Sequence, residues 1–211
     1  MSFVFENRAT GNTKIGQSPL FNICIWGDRS SGKTTLVRDI LYKLDLPSYI
    51  LNGVETDNYL DVPNVLYSET YTNTGQISLI FEKMSKGDRR NPKVLVLEDL
   101  PESIYKSRDF INIFKNGWAY KIIVIATMSS AYYLSPQIRE LIDCVFILRT
   151  SPHVKETIYQ NYFGYFKDFS EFCSVLEKHT KDYGCVVSNH YQWMPFKASV
   201  HRRRHWMINK N

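Results

Sequence analysis

Acidic side chains are missing from the end of the chain. After Asp182 there is no Asp or Glu, while Lys197, Arg202, Arg203, Arg204 and Lys210 all fall in that stretch. Those five cations equal the formal net charge of +5, so the body is neutral and the end is basic. Such an end is the electrostatic footprint of a polyanion binder, with a solvated tail as the plain alternative. Cysteine is also scarce: Cys24, Cys144, Cys173 and Cys185 form no CxxC pair and have no His at metal-ligand spacing. That pattern argues against a disulfide framework or a cysteine zinc site and fits a reducing compartment in which the thiols are core residues. Nowhere do 18 apolar residues stand together, which excludes a helical membrane span. Residues 1–20 mix Glu6, Asn7, Arg8 and Lys14 with small polar residues, and no signal peptide is expected there. No repeat and no Pro/Gly/Ser linker divides the sequence. The expected organisation is an extension at 1–20, one domain at 21–190 and a basic tail at 191–211.

What is present is a folding composition. Of 211 residues, 44% are apolar and 22% charged, which excludes a disordered chain and lets one core bury roughly 70% of the surface. Short apolar runs at 21–26, 93–97, 122–126 and 144–148 read as buried strands, with weaker strand patterns at 48–51 and 65–68. Helical spacing marks 34–44, where Leu36, Val37, Ile40, Leu41 and Leu44 share a face, and 76–86, where Ile77, Ile80, Phe81 and Met84 do. Further helices are predicted over 108–115, from Ser135-Pro136, from Ser151-Pro152 through Phe166, and after a capping Asp168. Strands and helices that alternate in this way predict an α/β fold with a parallel sheet covered on both faces.

The chemistry sits where the first strand runs out. Gly27-Asp28-Arg29-Ser30-Ser31-Gly32-Lys33-Thr34 is a complete G-x-x-x-x-G-K-[ST] phosphate loop, the Walker A pattern, and Thr35 follows it into the helix. Gly27 and Gly32 permit the backbone conformations that turn successive N–H groups onto phosphates. Lys33 places a point charge on the outer phosphates, Thr34 offers a hydroxyl to Mg²⁺, and the helix N-terminus adds its dipole. The strand 93–97 ends in Glu98-Asp99, two adjacent acids. One acid at such a strand end serves the magnesium shell, and a second orients and deprotonates an attacking water. Glu98 is assigned to the metal and Asp99 to the water, with the reverse open. Thr127 ends the strand 122–126 ahead of Ser129 and Ser130, and is the candidate γ-phosphate sensor if that strand lies between the other two.

With these motifs in that order, the chain resembles the FtsK-HerA family of P-loop ATPases, within it the genome-packaging ATPases of large eukaryotic DNA viruses, virophages and related elements. The likeness runs over 21–188. It rests on the phosphate loop, Leu95-Val96-Leu97-Glu98-Asp99-Leu100, Asn116-Gly117, Leu134-Ser135-Pro136-Gln137-Ile138-Arg139, Phe146-Ile147-Leu148-Arg149 and Asp182-Tyr183-Gly184-Cys185-Val186-Val187. The resemblance implies a three-layer P-loop NTPase sandwich with a mostly parallel sheet, an additional strand beside the phosphate-loop strand, and the acidic pair on the third core strand. It also implies a homo-oligomeric ring, a hexamer, that couples ATP hydrolysis to pumping double-stranded DNA into a preformed capsid. A capsid vertex or portal-like protein would then be a partner, and the infected host cell, at a cytoplasmic assembly site, or the virion the location. Two positions depart from the family pattern. Gly117-Trp118-Ala119-Tyr120 stands where the family has an arginine finger, and Thr127-Met128-Ser129 where it has a glutamine sensor. Arg108, Lys121, Arg139 or Arg149 would then supply the finger across a subunit boundary, with Arg139 preferred.

DNA contacts are expected at phosphates, from Lys197, Arg202, Arg203 and Arg204 and from Lys86, Arg89 and Arg90. Trp193, Tyr191 and Trp206 are expected to pack on the core, with base stacking as the alternative. Two other functions fit part of the pattern: a nucleotide-switched loader with little turnover, and a nucleoside or nucleotide kinase. The Asn-Lys-x-Asp signature of GTPases is absent, which favours ATP.

Overall fold

The computed structural model describes residues 22–87, 90–129, 134–164, 166–189 and 193–198. Eight strands form one sheet in the order β3-β2-β4-β5-β1-β6-β7-β8. They are β1 (Asn22–Trp26), β2 (Ser48–Asn52), β3 (Val65–Thr70), β4 (Lys93–Glu98), β5 (Ile122–Met128), β6 (Cys144–Ile147), β7 (Gly184–Ser188) and β8 (Trp193–Lys197). The helices are α1 (Lys33–Leu44), α2 (Gly75–Lys86), α3 (Glu102–Tyr105), α4 (Arg108–Asn116), α5 (Pro136–Arg139), α6 (Pro152–Tyr162) and α7 (Phe169–His179). The first six strands pair in parallel, while β7 and β8 add an antiparallel edge. This is the mostly parallel α/β sandwich expected, with β5 lying between β1 and β4.

Alternation along the strands explains the layers. Cys24 and Trp26 of β1, Leu95 and Leu97 of β4, and Val124 and Ala126 of β5 face one layer, packed with Ile77, Ile80, Phe110, Phe114, Ile158 and Phe172 from α2, α4, α6 and α7. Their strand neighbours Ile23, Ile25, Val94, Val96, Ile123 and Ile125 face the other, against Leu36, Val37, Ile40 and Leu41 of α1. Strands covered on both faces must be apolar at consecutive positions, which is why they are visible as unbroken runs. Cys24, Cys144 and Cys185 are buried among these layers, and burial pushes each thiol up. These three are core residues as anticipated, whereas Cys173 of α7 is only partly buried.

Three elements depart from expectation. The helix α6 stops at Tyr162 rather than running through Phe166, because Phe163 leaves helical geometry and turns into an aromatic cluster with Phe166 and Phe172. The short α3 follows the acidic pair, in a stretch with no helical period of its own. The strand β8 lies in the segment expected as a basic tail; Met194 and Phe196 are buried on one side of it, and Pro195 is tolerated because an edge strand needs no second ladder. Trp193 stacks on Phe166 with ring centroids 5.5 Å apart, so this ring packs on the body as expected.

Candidate functional site

The phosphate loop joins β1 to α1 and is fixed at both flanks. Gly27 N donates to Met128 O at 3.3 Å, Asp28 N to Arg149 O at 2.9 Å, and Asp28 Oδ1 accepts from Ser151 N at 3.3 Å. Gly32 sits at φ 106°, a conformation costly for any residue with a Cβ, immediately before α1. Lys33 is buried and its Nζ donates to the loop carbonyls of Gly27 at 3.0 Å and Asp28 at 3.3 Å. The ammonium is thus held over the loop by the loop itself. Ser31 Oγ is buried in the loop without a hydrogen-bond partner. Arg29, Ser30 and Thr35 are exposed around the same rim.

The acids arrive from β4. Pairing of β4 with β5 sets Glu98 opposite Thr127, and both are buried. Thr34 Oγ1 donates to Glu98 Oε1 at 2.5 Å, so Glu98 is the acid that meets the α1 hydroxyl. Burial pushes the Glu98 carboxyl above its ordinary value; hydrogen bonds from Thr34 and Tyr59 oppose this, the Asp99 charge adds to it, and the Lys33 charge opposes it. Asp99 turns away at φ 45°, with Oδ2 3.4 Å from Lys33 Nζ and a partly open carboxylate. Its backbone N donates to Thr127 Oγ1 at 3.0 Å. Thr127 is fully buried and engaged by Asp99, so its hydroxyl braces the acid turn in this arrangement. The structure therefore brings Lys33, Thr34, Glu98, Asp99 and Thr127 together.

Several partners in the site have no signal in the sequence. A Cβ on Gly53 would stand 1.9 Å from Asp99 O, so the acid turn closes only over a glycine. Tyr105 OH accepts from Leu100 N at 2.8 Å and donates to Thr127 O at 2.7 Å, clamping the chain after the acids. Tyr59 OH donates to Glu98 Oε2. The strand order brings Gly53 and Tyr59, which follow β2, beside β4, and sets Thr127 of β5 on its other side within reach of Tyr105; local patterns show none of this.

Beside Ser30 and Ser31 opens a cleft of about 800 Å³, walled by Arg149, Thr150, Lys155, Glu177 and Tyr183. Asp182 and Tyr183 hold φ of 50° and 61°, and the Tyr183 ring, 66% exposed, crosses over Gly32. Tyr183 lies within the resembling stretch but carried no assigned role there.

The candidate finger stands elsewhere. Arg139 closes α5, and the residues that follow bind the opening end of β1: Asn22 Nδ2 donates to Leu141 O at 2.8 Å and Asn22 N to Asp143 Oδ2 at 2.8 Å. The phosphate loop follows the closing end of that strand, so Arg139 is remote from its own chain's site. Lys121 is also at the opening end, its Nζ on Arg90 O at 2.7 Å, whereas Arg149 is exposed beside the phosphate loop and Arg108 is exposed at the start of α4. Trp118, in the turn where an arginine was expected from the resemblance, is 62% exposed. Lys197 ends β8 opposite Gly184, exposed, at the phosphate-loop end of the sheet. Lys86 pairs with Glu82. Arg89, Arg202, Arg203, Arg204, Tyr191 and Trp206 lie outside the described residues.

The donor set suits magnesium. Thr34 and Glu98 offer hard oxygens side by side, and no group of three or more His, Cys, Asp or Glu able to cage a metal exists among the described residues. Mg²⁺ is held in that way, by one or two protein oxygens together with substrate phosphates.

Comparison with known proteins gives the following. No family model matches the chain. It is 28% identical over 172 residues to protein 088R of Invertebrate iridescent virus 3, a match covering 76% of this chain and 66% of that one. It is 30% identical over 173 residues to protein 075L of Invertebrate iridescent virus 6, covering 76% and 67%. The chain thus spans about two thirds of the length of these viral relatives. In fold it is similar to the genome packaging NTPase B204 from Sulfolobus turreted icosahedral virus 2 in complex with AMPPCP, with a TM-score of 0.64 at 15% identity, covering 85% of this chain and 98% of that one. A TM-score of 0.61 at 15% identity relates it to the pCW3 conjugation coupling protein TcpA with ATPγS, covering 94% and 65%.

Proposed function

Because this chain belongs to one family with protein 075L of Invertebrate iridescent virus 6 and shares the fold of the genome packaging NTPase B204, we propose that it is a P-loop ATPase of the FtsK-HerA type, an ATP-hydrolysing motor that moves double-stranded DNA and packages a viral genome into a preformed capsid. The observation that carries the ATPase is the contact of Thr34 with Glu98 beside the buried Lys33, with Asp99 adjacent and open. The named tasks of B204 and TcpA, genome packaging and conjugation coupling, support DNA as the cargo.

Each residue then has one task. The loop N–H groups and Ser31 receive the phosphates, Lys33 shifts from the loop carbonyls to the outer phosphate oxygens, and the cleft under Tyr183 takes the nucleoside. Thr34 and Glu98 would hold Mg²⁺, which when bound would supply positive charge to the outer phosphates. Asp99 orients the attacking water and accepts its proton, which favours hydrolysis over transfer to a second substrate. Arg139 of a neighbouring copy, in a ring of six, stabilises the charge of the transferred group. Lys197 with Arg202, Arg203 and Arg204 bears on the DNA backbone, independent of sequence. The capsid vertex or a portal-like protein is the docking partner, at the assembly site in the infected cell.

One observation favours a second reading, a nucleotide switch with little turnover: the turn Gly117-Trp118-Ala119-Tyr120, where the resemblance implies an arginine finger, holds no arginine. Steady-state hydrolysis with and without long double-stranded DNA separates the two. The motor predicts stimulation by DNA that falls as salt rises from low to moderate, because each phosphate contact releases counterions. It also predicts loss of at least ~100-fold in Lys33→Ala, which removes charge stabilisation from the transferred phosphoryl group. Stoichiometric nucleotide binding with no DNA-dependent turnover would establish the switch and overturn the motor.

A further inference from the structure

The loop 53–64 leaves the sheet between β2 and β3 and returns across α1. Half of its residues face solvent, Leu60 at 81% exposure, yet Tyr59 and Val62 are buried, Tyr59 at only 2%. Two residues one turn apart on α1 pin the loop: Arg38 Nη2 bonds Asp61 Oδ2 at 2.8 Å and its Nη1 donates to Asn58 O, while Tyr42 OH donates to Asp61 O at 2.7 Å. The Tyr59 ring enters the layer between α1 and the sheet, and its hydroxyl reaches Glu98 Oε2.

Resting on the ATPase reading above, we propose that Tyr59 is the positioning residue for Glu98, fixing the plane of the carboxylate so that Oε1 stays turned to Thr34 and the metal. The terminal torsion of a glutamate is broad and roughly two-fold, so a carboxylate held at one oxygen swings about that bond. Thr34 holds Oε1 and Tyr59 holds Oε2, which together leave one orientation. A metal on a lone pair of Thr34 would leave its O–H directed at Oε1, while Tyr59 would hold Oε2 as before. The anchors on Arg38 and Tyr42 tie the loop to the helix that carries Lys33 and Thr34, so the phosphate loop and the acid are set by one rigid piece.

The test is a cycle of Tyr59→Phe and Glu98→Gln, singly and together, in the full chain. The readout is the Mg²⁺ concentration at half-maximal binding of a fluorescent, non-hydrolysable ATP analogue, with kcat and KM measured beside it in the Glu98 background. Tyr59→Phe is expected to raise the Mg²⁺ midpoint by about tenfold and to lower kcat with KM for ATP little changed, the usual size of a lost partner to a metal ligand. In the Glu98→Gln background the same change is expected to add less than about twofold, since the two residues act through one contact. An equal shift in both backgrounds, or none in the wild type, overturns the proposal. Asp61→Asn, which loosens the anchor and leaves Tyr59 in place, is expected to shift the midpoint in the same direction, and decides the matter should Tyr59→Phe not fold. Wild-type protein that binds no nucleotide, with Lys33→Ala indistinguishable from it, sinks the ATPase reading itself, an outcome distinct from a silent Tyr59.

Discussion

Glu98 is the residue whose environment is least comfortable. Its carboxyl is buried beside a second acid, and burial raises its affinity for a proton above that of an unfolded chain. A group protonated more readily in the folded state favours folding at low pH and becomes a liability as pH rises through its folded value. The nucleotide-free Glu98→Gln protein is therefore expected to melt above wild type near neutral pH, by a few degrees at about 2–4 °C per kcal/mol. That advantage should shrink as pH falls and disappear near the ordinary glutamate value of about 4.3. Thermal melts of the two proteins across that range check it; a constant difference would mean that the carboxylate charge is not the cause. The liability fits the proposed role, since a cation held by Glu98 would bring the positive charge that an isolated buried carboxylate lacks.

Among the elements, those that form the site are of two kinds. The strand β4 and the loop into α1 are written locally: a run of apolar residues ends in acids, and the glycine and lysine spacing admits one turn. The contacts between them are not. Gly53, at the end of β2, reads as an ordinary loop glycine, yet its lack of a side chain admits the Asp99 carbonyl. Gly53→Ala is expected to force that turn apart, lowering stability by about 1–3 kcal/mol. It should reduce hydrolysis at least tenfold while nucleotide binding through the phosphate loop survives, as a melt and a paired binding and turnover assay would reveal. Unchanged turnover would show that the acid turn tolerates displacement. Tyr59 was hidden for the same reason: Asp57-Asn58-Tyr59-Leu60-Asp61 has no period, and only pairing of β2 with β4 delivers it to Glu98. In β8 the signal was present, since Met194 and Phe196 alternate with Trp193, Pro195 and Lys197, but a strand placed after the main alternation of strands and helices reads as a tail.

For the whole molecule the question is what a second copy contributes. An arginine acting between chains predicts complementation: Arg139→Ala and Lys33→Ala are each expected to be nearly inactive alone. A mixture should recover turnover, because the first supplies intact phosphate loops and the second intact fingers. Absence of recovery over a range of mixing ratios, with both proteins folded and assembled, would remove Arg139 from the site and leave Arg108, Lys121 and Arg149 as the candidates. The general architecture was visible beforehand, in the alternation of strands and helices, while the distance of Arg139 from its own nucleotide emerges only once α5 is seen against the opening end of β1. Arg139 acting on a neighbouring copy, as proposed, would fix how the copies meet. A donor at one end of the strands that serves an acceptor at the other end makes every contact between copies head-to-tail, so a closed assembly must lay its strands around the circumference, not along the bore. In such an assembly each copy would sense one neighbour and be sensed by the other, which would give the circle a direction before any DNA entered it.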